Sequence, residues 1–186
     1  MFTRTEPIYQ IRIKSLFLLL LFCHVSSPVK HSLKFLITAS SGIQNLPELV
    51  VVVLVDDVQA GYCKSNKTIE VNHDVWKTLF KENPWLLELY TQQCFETLPK
   101  RFKPRLDRIM QHFNQSGGVH ILQLMQSCNL DEKTQTVFSQ YGYHGKDFMS
   151  FNLKKGTWIL LKPEADVIQQ EWFLPHRFLL VLSELL

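Results

Sequence analysis

The chain has 186 residues, of which 46% are hydrophobic and 20% charged, with a net charge of +3. That apolar content supports a packed core and excludes a disordered chain, and the length fits one domain beside a targeting segment. The small, dispersed positive charge excludes the clustered basic face that nucleic-acid binding needs.

Arg4, Arg12 and Lys14 precede the apolar run from Ser15 to Val25, and Ser26 and Ser27 follow as small residues suited to cleavage. This is the layout of a secretory signal peptide over residues 1–27. The run falls short of the ~20 apolar residues that span a bilayer. A retained signal anchor is the alternative, because the stretch before the run is long. Entry to the secretory route makes disulfides and N-glycans available. Asn66-Lys67-Thr68 and Asn114-Gln115-Ser116 then mark Asn66 and Asn114 as glycosylation candidates.

Residues 31–39 alternate, placing Leu33, Phe35 and Ile37 on one strand face. Gly42, Asn45 and Pro47 predict a turn. Residues 49–55 are all valine or leucine, a strand apolar on both faces. Asp56-Asp57 predicts a tight turn. Residues 60–65 and 68–72 complete an antiparallel meander of four strands. Asp74 is placed as the cap of a short helix to about Lys81, and Pro84 opens a second helix. Pro99 and Pro104 fall inside that helical stretch and are expected to kink or break it. The helical pattern ends by Gly117-Gly118.

The pattern then repeats. Residues 119–128, 135–141, 146–151 and 157–161 are strand candidates, and Pro163-Glu164-Ala165-Asp166 opens a helix. Four strands plus a helix, twice, predict an α+β fold. Its eight-stranded antiparallel sheet carries helices across one face, the second of them incomplete. The halves run 28–118 and 119–172. Residues 173–186 form an apolar tail interrupted by Pro175, His176, Arg177 and Glu184. The tail is too short to span a bilayer, so no membrane span is expected after signal cleavage.

Several landmarks stand in a telling order: His31-Ser32-Leu33, Val55-Asp56-Asp57-Val58-Gln59, Asn114-Gln115-Ser116, Cys128, Tyr143-x-Gly145-Lys146-Asp147, Trp158 and Glu171-Trp172. In that order they resemble the alpha-1 and alpha-2 domains of MHC class I heavy chains, over residues 31 to about 172. The resemblance implies a two-helix groove, beta-2-microglobulin and a lymphocyte receptor as partners, and glycosylation at Asn114. It also implies that Cys128 bonds to the second long helix in complete members. That helix has barely begun when this sequence stops, so Cys128 is expected to be a reduced thiol. The tail reads as sequence past a splice junction.

In peptide-presenting members, tyrosines, a threonine, a lysine and a tryptophan hold the peptide's charged ends. By that resemblance the first-strand tyrosine falls on Phe35, and the tyrosine before the sequon on His112. The threonine and lysine fall on Ile168 and Glu171. The tryptophan is kept as Trp172. A glutamate repels a carboxylate where a lysine binds it. The groove floor, by strand alternation, is Leu33, Phe35, Ile37, Leu49, Val51, Val53, Leu122 and Leu124. That surface suits an apolar or lipid-like ligand better than a peptide with charged ends. An empty groove with packed side chains is the competing expectation.

Cys63 falls on the third strand and Cys94 on the first long helix, and a bridge joins them if the helix crosses above that strand. Buried thiols are the alternative. His73, His112, His120 and His144 show no metal-ligand spacing. No G-x-S-x-G, P-loop or H-E-x-x-H pattern occurs, so neither catalytic residue nor cofactor is expected, and a secreted hydrolase is the distant alternative. The expected product is an immune-recognition platform, secreted or in the ER lumen. A truncated regulatory or non-functional product is the alternative.

Overall fold

The computed structural model describes residues 30–131 and 134–166. The strands are β1 (His31–Ser41), β2 (Leu49–Val55), β3 (Val58–Lys64), β4 (Thr68–Val71), β5 (His120–Asp131), β6 (Thr134–Tyr143), β7 (Lys146–Asn152) and β8 (Thr157–Leu160). They form one antiparallel sheet in the order β4-β3-β2-β1-β5-β6-β7-β8. Each half is a meander, and the halves join through β1 and β5, with Leu33 opposite Cys128 and Ile37 opposite Leu124.

Two hairpins turn in the same way. Asp56-Asp57 (φ 50° and 64°) and His144-Gly145 (φ 50° and 73°) each put two left-handed residues between paired strand ends, a geometry that matches strand twist. Asp56 is further held by the Ser32 N–H at 2.7 Å and the His31 ring at 2.9 Å. These bonds keep its carboxyl below the ordinary range, the His31 contact foremost.

The helices of the first half are α1 (Asp74–Glu82), α2 (Pro84–Gln92) and α3 (Leu98–His112), with a π turn, Gln93–Thr97, between α2 and α3. Asp74 is the first helical residue and His73 occupies the cap position without a side-chain cap bond. Asp74 instead pairs with Lys77 at 2.9 Å. Neither Pro99 nor Pro104 ends the helix, which is continuous from Pro84 to His112. The Leu98 N–H reaches back to the Gln93 carbonyl. The ladder therefore leaves α register just before the donorless Pro99. Pro104 lies on the exposed side, opposite the buried stripe.

That stripe is Leu98, Phe102, Leu106 and Ile109, which share one helix face and meet Ile37, Leu122, Leu124, Tyr141 and Met149 of the sheet. A disulfide joins Cys63 on β3 to Cys94 on the π turn, with Cα atoms 6.4 Å apart. The second half opens its helical part with a single 3-10 turn, Pro163–Ala165. The expected signal peptide, the positions Ile168, Glu171 and Trp172, and the tail 173–186 lie outside the described residues.

Candidate ligand site on the helix-facing side of the sheet

Antiparallel partners share a sheet face, so the register decides which side chains meet the helices. Leu33, Phe35 and Ile37 on β1 pair with Val55, Val53 and Val51 on β2, and with Cys128, Gln126 and Leu124 on β5. All eight predicted floor positions therefore lie on the helix-facing side. Seven are buried, while Val53 is half-buried. Val53 sits opposite Gly61, which has no side chain to cover it. Gly61 is required there, because a Cβ would stand 2.6 Å from the Glu70 carbonyl oxygen. Cys128 is fully buried on this same face, beside Leu33.

An apolar cleft of ≈ 50 Å³ opens where Gly61 leaves that space, between β1–β4 and the helices. Its floor is Phe35, Ile37, Val51 and Val53, and its wall is Trp76, Phe80, Tyr90 and Leu98. The wall is an aromatic cluster. Phe35 stacks on Tyr90 at 6.3 Å, and Trp76, Phe80 and Tyr90 meet edge-on at 5.4–5.8 Å. Burial pushes the Tyr90 hydroxyl up to about 12.

Toward the second half, α3 changes character. Arg105 donates to the Tyr141 hydroxyl at 2.5 Å and lies 5.8 Å from that ring's centre. Desolvation lowers the Arg105 pKa and raises that of Tyr141. Tyr141 belongs to β6 and shares the helix-facing side with Leu124, so Arg105 points over the floor. Arg101, Arg108 and His112 share that flank with Arg105 by helical spacing. Lys103 takes the opposite flank and pairs with Glu48 at 3.3 Å. His112 is exposed and contacts Phe113 edge-on at 5.3 Å.

The far end holds a cluster that spacing alone misses. His120 and His144, 24 residues apart, meet with ring nitrogens 3.3 Å apart. His120 Nε2–H donates to the Gly117 carbonyl at 2.9 Å. Its Nδ1 lies 3.0 Å from the Tyr143 hydroxyl, which donates to Gln115 Oε1 at 2.5 Å. With that hydroxyl proton committed, a neutral His120 accepts at Nδ1 from His144 Nε2–H. Desolvation, then His120 and Lys146, holds the His144 pKa below its ordinary value. The signal for this meeting was the β5–β6 pairing together with the His144-Gly145 turn. Among the described residues no group of three or more histidines, cysteines or acids could hold a metal ion. The sequon residues Asn66 and Asn114 are both exposed, Asn66 in the β3–β4 turn and Asn114 just past α3.

An eight-stranded antiparallel platform in two halves, with a helix laid across one face above an apolar cleft, defines an antigen-recognition type of domain. The family model described as Class I Histocompatibility antigen, domains alpha 1 and 2, matches residues 29–176, and the chain belongs to this family. Among its relatives is human zinc-alpha-2-glycoprotein, 24% identical over 145 residues that cover 77% of this chain and 48% of the relative. Another is major histocompatibility complex class I-related protein 1 of Bos taurus, 30% identical over 159 residues that cover 83% and 46%. The class I histocompatibility antigen B alpha chain of Saguinus oedipus is 27% identical over 146 residues, covering 76% and 40%. The chain thus spans less than half the length of each of these relatives.

Proposed function

We propose that this platform serves immune recognition by holding an apolar, lipid-like ligand in place of a peptide with charged ends, and by showing its helical surface to a lymphocyte receptor. The observation that carries the reading is the cleft itself. Hydrocarbon and aromatic side chains make up most of its floor and wall, and Phe35, a ring without a hydroxyl, lies on the floor stacked on Tyr90. The lining includes Tyr62, Glu70, Tyr90 and Gln93 but no cation, so a peptide carboxylate buried there would go unpaired, at a cost of several kcal/mol. The predicted end positions Ile168 and Glu171 are part of the same proposal. Native mass spectrometry of the secreted chain tests it: peptides with free termini in the bound fraction would sink the apolar-ligand reading.

The underside of the sheet supports the partner. Leu36, Val52, Leu54, Met125, Phe138 and Ile159 fall on the face away from the helices, with Met125 39% and Ile159 46% exposed. Lys34, Gln123 and Gln140 share this face, so it is a mixed surface whose exposed apolar side chains a partner would cover. Beta-2-microglobulin is the proposed cover, and the secretory route, with lumenal or secreted location, is proposed with it. Co-expression followed by size-exclusion chromatography checks this. A 1:1 complex is expected, and a monomer that ignores excess beta-2-microglobulin refutes it.

A further inference from the structure

We propose that the cleft is a gauge for one chain tip: it seats a straight or singly branched alkyl end and turns away an aromatic ring, with Val53, Ile69 and the Cys63–Cys94 bridge setting its width. This rests on the apolar-ligand reading above and names the part of the ligand that the chain selects. The first observation is size. The cleft holds ≈ 50 Å³, where one water-sized group takes roughly 10–15 Å³ and a cavity of about 150 Å³ takes benzene. Roughly three to five carbons therefore fit, and a phenyl ring does not.

The second observation is that the cleft cannot widen freely. On the floor, Gly61 lies so close to β4 that a Cβ would stand 2.6 Å from the Glu70 carbonyl oxygen, and Val53 faces it from β2. On the wall, Trp76, Phe80 and Tyr90 pack edge-on at 5.4–5.8 Å. Cys63 and Cys94 both line the cleft, one from β3 and the other from the π turn, so their bond ties floor to wall. Close-packed walls joined by a covalent strut do not part by a ring's thickness without strain.

The third observation is where the cleft meets solvent and what chemistry it offers. Ile69, on the outer strand β4, lines the cleft and is 36% exposed. The rest of the ligand leaves by this side, with no passage under α3. The one charged residue among the described lining, Glu70, accepts a hydrogen bond from the Tyr62 hydroxyl. A tip that carries a charge would go unpaired there, so the headgroup stays outside.

The test uses the full chain secreted from mammalian cells and three maltosides, matched in hydrophobicity and kept below their micelle concentrations. They differ at the chain tip: straight alkyl, alkyl with one terminal methyl branch, and phenyl. Affinity is read by isothermal titration calorimetry. The parent is expected to bind both alkyl tips about tenfold or more tightly than the phenyl tip, since only those tips seat their last few carbons. Val53→Ala with Ile69→Ala trims both side chains to a methyl and is expected to close the gap to about threefold or less. Cys63→Ala/Cys94→Ala is expected to narrow it too, because floor and wall are no longer tied. Far-UV circular dichroism checks that both variants fold, and the parent's own ratio tests the size limit without them. Equal affinity for all three tips in the parent would overturn the size limit while leaving the apolar cleft standing. A full gap kept in both folded variants would overturn the assignment to Val53, Ile69 and the bridge. Failure of all three probes would overturn the apolar-ligand reading itself.

Discussion

Replacing the Cys63–Cys94 bridge by alanines is the sharpest test of how the helix is held over the sheet. The bridge closes a 31-residue separation. In the chain-entropy treatment, closing that loop removes unfolded-state freedom equivalent to about 3.7 kcal/mol at 25 °C. Both cysteines are buried, Cys63 at 9% and Cys94 at 2% exposure. Alanine avoids the buried hydroxyl that serine would add, and changing both removes any chance of mispairing with Cys128. Urea unfolding of Cys63→Ala/Cys94→Ala beside the parent, without reductant, is expected to show a loss of about 3–4 kcal/mol. In a domain of this size that corresponds to a melting temperature lower by about 7–15 °C. A loss below about 1 kcal/mol would refute the reasoning, because the helix would then be held over β3 by packing alone.

Phe102→Ala should cost about 3–5 kcal/mol in the same urea assay, since Phe102 is 1% exposed at the centre of the α3 stripe. Stability should fall in mild acid. His144 binds its proton less readily when folded, so its effect is absent above the unfolded value of 6.5 and grows as pH drops below it. Groups facing that ring are His120, Tyr143 and Lys146, with Gln115, Lys162 and Glu164 around the same hollow. Thermal melts at pH 7.5 and 5.5 should therefore show a smaller pH difference for His144→Gln than for the parent. Asn66→Gln and Asn114→Gln should each shift the secreted chain down by one glycan on a gel, a difference abolished by peptide-N-glycosidase treatment.

The duplicated pattern of four strands and a helix was legible because each element carries its own period. The alternation of Leu33, Phe35 and Ile37 sets which side of β1 is apolar. Asp56-Asp57 sets a two-residue turn, and Pro84 and Pro163 open helical segments. Such signals act within a few residues and survive without knowledge of the neighbours. Of the expected kink or break at the prolines, no break occurs, for a related reason. One proline alone predicts a break, but the π turn before Pro99 shifts the ladder so that its missing N–H is accommodated.

Pairings across the sheet had no such local mark. Whether Cys63 meets Cys94 depends on where the helix crosses β3, and the contact between Arg105 and Tyr141 spans 36 residues. His120 and His144 read as isolated until β5 and β6 lay side by side. The amino-acid order by itself determined which face of each element is apolar, and with it the family of the fold. Only the tertiary structure decided which polar groups that burial forces together. Apolar burial follows a repeating local pattern, whereas a hydrogen bond needs two particular atoms brought within about 3 Å by the packing of everything between them.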